Sequence, residues 1–266
     1  MEVIETAPPP VAPALPLPQV TAGTIIGRTF SVWGQNAVAF SIVMLVLYVP
    51  VLAVQLWLGP SPQFTPGVTA PGAMMRYQAG AFGLVLLSMV LNFATMGALT
   101  RGVLQSLDGR RPGAGELLAF GFRKLWPVSV TAMNASVRMV LWSLLLIVPG
   151  IMAGCRLFVA VPARVAEPHL GSNKALARSR ELTLGRRNAI FLSLIVVMVV
   201  GTLVNLGVSL IGLRRGLLPF AVATTIVWAV NAVANGLYPT AAGVTYHDLR
   251  LEKDGADTAQ LARVFE

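Results

Sequence analysis

Charge is what this sequence has least of. Only 12% of its 266 residues are Asp, Glu, Lys or Arg, and the acids number 11. A soluble domain carries about 25%, so water is excluded as the solvent of most of the chain. Cysteine is scarcer still. The single Cys155 rules out an intrachain disulfide and a cysteine-clustered metal site, and suits a small packing residue. His169 and His247 are the only histidines, on separate connections. No HExxH, phosphate-loop lysine motif, dinucleotide glycine fingerprint or GxSxG elbow occurs. The pair His247-Asp248 is a poor acid–base couple, because adjacent helical residues point apart. These absences argue against an enzyme, and nothing in the pattern calls for a cofactor or a metal.

What the chain has in excess is apolar residues, 55% of the total, with a mean hydropathy of +0.72. A hydrocarbon core of roughly 30 Å needs about 20 apolar residues per helix. Such stretches run from residues 38 to 58, 79 to 100, 127 to 148, 150 to 166, 188 to 212 and 220 to 243. The expected fold class is therefore all-α: a polytopic transmembrane helical bundle of six spans with short amphipathic cytoplasmic helices.

Residues 1 to 21 hold the run PPPVAPALPLP and lack the basic leader and apolar core of a signal peptide. They are expected to form an extended, retained, solvated tail. Residues 22 to 250 should form the transmembrane domain and 251 to 266 a cytoplasmic tail. Ile26, Phe30, Trp33 and Ala37 share one helical stripe, which predicts an interfacial helix before the first span. Ala175, Leu176, Ser179 and Leu182 predict another amphipathic helix, against the bundle or the inner leaflet. Leu117, Leu118, Phe122 and Leu125 predict an elbow over residues 116 to 125.

The net charge of +9 does not indicate nucleic acid, because the basic residues sit in short loops between apolar segments. Topology and contact with anionic lipid account for them. Lys and Arg gather on one side around Arg28, residues 101 to 124, residues 164 to 187 and residues 250 to 263. The other side has only Arg76, Arg214 and Arg215. The bias places both termini in the cytoplasm, which requires an even number of spans. Trp33, Trp126 and Tyr246 should mark the cytoplasmic interface, and Trp57 and Tyr77 the opposite one. Pro149-Gly150 reads either as a hairpin turn or as a kink in one long span, and the charge count favours the hairpin.

Apart from Arg164 near a cytoplasmic end, two charges lie inside the apolar stretches, Arg138 and Arg156, and neither has a carboxylate beside it. With the turn at Pro149-Gly150 their depths differ by roughly 8 Å, at about 1.5 Å per residue. Intramembrane arginines usually face a protein interior or a wet cavity. Amides are the available neighbours: Asn92, Asn134, Asn205, Asn231 and Asn235. One expectation is that Arg138, Arg156, Asn231 and Asn235 together bind an anionic group such as a lipid phosphate. The blander one is that the arginines snorkel or bond amides, and that the asparagines join helices. Gly80 with Gly83, and Ala232 with Gly236, suggest close helix packing.

The stretch LLLIVPGIMAGCRLFVAVPARVAEP from Leu144 to Pro168, NKALARSRELTLGRR from Asn173 to Arg187 and YHDLRLEKDGAD from Tyr246 to Asp257 carry a resemblance. They resemble the bacterial membrane domain named after glycerophosphoryl diester phosphodiesterase, a group of six-helix inner-membrane proteins. Only about ten residues follow Asp257, so the phosphodiesterase activity of the named members is not implied. The resemblance implies a bacterial inner-membrane location and a cytoplasmic motif of Glu167, Arg178, Arg180, Asp248 and Arg250. The function expected is a non-enzymatic membrane protein that binds or organises anionic phospholipid or a cytoplasmic partner protein. The alternatives are a transporter of an anionic or amphiphilic solute and a membrane subunit of a separate envelope enzyme.

Overall fold

A computed structural model of the chain describes residues 20 to 60, 71 to 213 and 219 to 264. The Pro-rich stretch up to residue 19, and Arg214 and Arg215, lie outside the described residues. Among the described residues there is no strand. The helices are α1 (Ala22–Gln35), α2 (Ala37–Leu58), α3 (Pro71–Leu107), α4 (Ala114–Arg123), α5 (Leu125–Leu145), α6 (Ile147–Leu157), α7 (Ala160–Ala166), α8 (Ser172–Leu182), α9 (Arg187–Leu213), α10 (Phe220–Asn235) and α11 (Leu237–Val264). Six segments are long and apolar enough to cross a membrane: α2, α3, α5, α6 with α7, α9, and α10 with the first part of α11. The chain is a multi-pass membrane protein.

An all-helical answer follows from the solvent. In hydrocarbon a helix satisfies its own backbone, whereas an open strand edge does not. The outward faces are correspondingly apolar, with Trp57, Trp126, Leu144 and Met198 among the most exposed side chains. One core lies among α2, α3 and α4, built on Phe40, Met44, Leu47, Leu99 and Leu117. A second joins α1, α6, α7, α9 and α11 through Ile25, Phe158, Ile190, Tyr246 and Leu249. α2 and α3 are antiparallel: Gly102 faces Phe40 and Gly80 faces Leu58.

The first amphipathic helix is present, with a capping box between Thr21 and Thr24, and the side it buries against the bundle lies next to the expected apolar stripe. Ile25, Thr29 and Val32 pack inward, while Phe30 is exposed. A lipid-facing helix turns its most apolar stripe outward, and Thr29 tolerates burial because its hydroxyl donates to the Ile25 carbonyl at 2.7 Å. Tyr246 likewise is no interfacial ring, since it is fully buried. The four residues read as one face of α8 are all buried, against the bundle. On α4 Leu117 and Gly121 face inward and Phe122 faces out.

Pro149-Gly150 is part of a helical hairpin, but the chain reverses three residues earlier. Leu146 is extended, with φ −161° and ψ 145°, and α6 starts at Ile147. Pro149 occupies the first turn of α6, where its missing N–H costs nothing. Gly150 serves the crossing: a Cβ there would lie 2.1 Å from Ser143 Oγ and 2.7 Å from Ser143 Cα. Met139 faces Gly154 one turn further along, so α5 and α6 run antiparallel in close contact. Gly236, between α10 and α11, has a similar role against the ring of Trp33, whereas Gly83 meets nothing. At the other end of the chain, the boundary expected at residue 250 falls inside α11, which runs unbroken to Val264.

Candidate functional site: an arginine pocket on the hairpin

Moving the turn to Leu146 brings the two intramembrane arginines to nearly the same level. Arg138 precedes it by eight residues and Arg156 follows it by ten, a difference in depth of about 3 Å at the helical rise. Both line one pocket of about 290 Å³, with Trp142, Pro149, Met152, Ala153 and Leu157 as walls and Arg180 of α8 as a third cation. Among the described residues no carboxylate lines it. Arg138 Nη2 donates to Asn173 Oδ1 at 3.0 Å, and Asn134 Nδ2 donates to the same oxygen at 3.0 Å. Arg156 Nε is buried without a hydrogen-bond partner. Ser179 Oγ donates to the Arg156 carbonyl at 2.8 Å and so seats α8 against the hairpin.

Asn231 and Asn235 are not part of this site. They lie on α10, which packs on α2, α9 and α11, and Asn231 Nδ2 donates to its own helix at the Val227 carbonyl, 2.9 Å away. The amide that does reach an arginine is Asn173, whose oxygen accepts from both Arg138 and Asn134. Arg180, expected with the cytoplasmic motif, lines this pocket instead. It sits beside Arg138 and Arg156, not with Glu167 and Arg178.

The remaining motif residues join an ion-pair clasp that ties α11 to α8, to the end of α7 and to α1. Arg178 Nη2 donates to both Asp254 oxygens, at 2.7 and 2.8 Å. It also faces Glu167 at 3.6 Å and Glu181 at 3.4 Å. Burial pulls the Arg178 guanidinium toward deprotonation, but the bond to Asp254 and the charges of Asp254 and Glu167 outweigh it, so its pKa is raised. Tyr246 Oη donates to Glu167 at 2.7 Å, and Arg250 faces Asp254 at 3.4 Å. Arg186 pairs with Glu252, which raises its pKa too, and Arg28 of α1 pairs with Asp248. Lys253 Nζ caps the Glu181 carbonyl at 2.7 Å. The carboxylates of the motif are thus occupied within the chain.

A second cavity, about 620 Å³, lies on the other face of the hairpin, between α3, α5, α6, α9 and α11. No charged side chain lines it. Phe158, at the break between α6 and α7, and Tyr238, just after the break between α10 and α11, meet there edge-on at 5.5 Å. Cys155 is buried in its wall.

The chain matches no family model, no curated protein and no solved structure.

Proposed function

We propose that this is a non-enzymatic inner-membrane protein of bacterial type that binds or organises anionic lipid, with both termini in the cytoplasm. The observation that carries the reading is the pocket in which Arg138, Arg156 and Arg180 converge without a carboxylate. Cations in an apolar setting need a counter-charge, and the guanidinium fork suits phosphate oxygens. Kinship with the membrane domain named after glycerophosphoryl diester phosphodiesterase is part of the proposal. It is supported by the fact that Glu167, Arg178, Tyr246 and Asp248, which carry the resemblance, are clasp residues. The same pairing leaves the partner-protein and enzyme-subunit readings without a free motif at that end. The test is mass spectrometry of lipid retained by the purified protein. Arg138→Gln with Arg156→Gln should deplete anionic phospholipid selectively, and unchanged retention would sink the reading.

Transport of an amphiphilic solute is the second reading. It is favoured by the two helix breaks that meet at the charge-free cavity, since discontinuous spans mark substrate sites in many transporters. Flux of an amphiphile in proteoliposomes, reduced by Tyr238→Leu, would support it. Absence of any flux would remove it.

A further inference from the structure

The arginine pocket carries more information than the sign of its ligand. Its three guanidiniums come from three helices, Arg138 from α5, Arg156 from α6 and Arg180 from α8. Across all of them, one hydrogen bond to the protein forms among the described residues, from Arg138 to Asn173. That acceptor is a neutral amide, so three positive charges stand uncompensated. The walls include the apolar side chains of Trp142, Pro149, Met152 and Leu157, and Arg156 Nε is buried among them, where charge interactions are stronger than in water. About 290 Å³ lies at the small end of the ligand-pocket range, suited to a headgroup and not to a whole lipid.

A phosphodiester brings one negative charge and two terminal oxygens. A phosphomonoester brings about −1.5 to −2 near neutral pH and three acceptor oxygens. We infer that the pocket takes a phosphomonoester in preference to a phosphodiester, one terminal oxygen meeting each guanidinium. The inference rests on the anionic-lipid reading above and narrows its ligand class. Phosphatidic-acid-type headgroups and free phosphate share this chemistry.

The lining also supplies a diagnostic. It contains no His, Asp, Glu, Lys or Cys, and guanidinium as a class keeps its proton. Of the other charged groups on α8, Arg178 and Glu181 are engaged with each other, and Lys174 does not line the pocket. Arg187, at the head of α9, does not line it either. Affinity that changes between about pH 5 and pH 7.5 therefore reports the ligand's own second ionisation, near 6. A monoester should bind more weakly as pH falls through that range, while a diester should not respond.

The experiment measures binding of phosphatidic acid, phosphatidylglycerol and inorganic phosphate to the full-length protein in neutral-lipid nanodiscs. The expected result is phosphatidic acid at least about tenfold tighter than phosphatidylglycerol at pH 7.5, with that advantage shrinking toward pH 5. Arg138→Gln with Arg156→Gln should abolish the preference. Arg180→Gln, an exposed side chain with no bond to lose, should weaken it without disturbing the fold. Inorganic phosphate that competes at equal concentration supports the chemistry and assigns a soluble source; failure to compete assigns a lipid one. Equal binding of the two lipids, lost together in the double variant, overturns the monoester inference and leaves the anionic-lipid reading standing. Binding of neither lipid, or binding indifferent to all three arginines, overturns both.

Discussion

Two groups of arginines in this molecule differ in who answers them. At the clasp, Arg28, Arg178, Arg186 and Arg250 each face a carboxylate of the same chain. At the hairpin pocket, Arg138, Arg156 and Arg180 face none among the described residues. α8 belongs to both groups. Arg178 and Arg180 are two residues apart, and at about 100° per residue their side chains leave the helix on opposite sides. One side is tied to α11 by Asp254, and the other presents a free cation to the pocket. Among the described residues, Glu167, Asp248, Glu252 and Asp254 pair with arginines from other segments of the chain and so hold its helices together. The pocket arginines lack such an acid among the described residues, and the proposed anionic ligand is what would answer them.

The comparison is broken most severely by removing the hairpin that holds one half of it. Gly150→Val places a branched side chain where even a Cβ meets Ser143 backbone at 2.7 Å. Overpacking of this kind costs about 1–3 kcal/mol or more. Purified protein should lose thermal stability sharply and lose lipid retention with it. Gly83→Val, at a glycine that meets nothing, should do neither.

Next in size is the clasp itself. Arg178→Met removes the hub of a network that includes Glu167, Glu181 and Asp254. Hydrogen bonds to charged partners contribute about 1.5–3 kcal/mol each when buried, and partial exposure of Arg178 and Asp254 reduces that toward the lower end. Thermal unfolding in detergent should show the loss. The sign with pH is fixed by the raised pKa. A cation held above its unfolded value contributes fully below the unfolded pKa and is lost only as pH rises through the folded one. Alkaline titration within the working range should therefore leave the Arg178 contribution intact.

The spans were legible in the sequence because hydropathy over about 20 residues is a strong signal. Finer features failed for physical reasons. Leu146 carries no turn signature, whereas Pro149-Gly150 does, so the sequence alone points three residues past the reversal and sets the arginine depths too far apart. Asn231 and Asn235 share a helix face, but which face meets which helix is a tertiary fact. Arg180 was separable in principle, because its spacing from Arg178 already puts the two on opposite sides of α8. The pairing of Glu167 with Tyr246, 79 residues apart, had no local signal.

A smaller effect is expected at the buried edge of the clasp. Tyr246→Phe keeps the ring and removes one hydroxyl that donates to Glu167 at 2.7 Å. The cost should be about 1 kcal/mol, visible as a modest fall in melting temperature. Lipid retention should be unchanged, because Tyr246 does not line the arginine pocket.

The smallest stability effect should come from the residues argued to matter most for binding. In Arg138→Gln with Arg156→Gln, only one side-chain bond to the protein is at stake, from Arg138 to Asn173, and glutamine retains a donor amide. Two uncompensated like charges are removed from an apolar pocket, a change that offsets the lost bond. Lipid-depleted protein should therefore melt within about 0.5 kcal/mol of the parent, and the parent alone should gain stability when anionic lipid is returned. A destabilisation as large as that of Arg178→Met would mean that the hairpin arginines hold the fold as the clasp arginines do. The distinction between cations paired inside the chain and cations reserved for a ligand would then collapse.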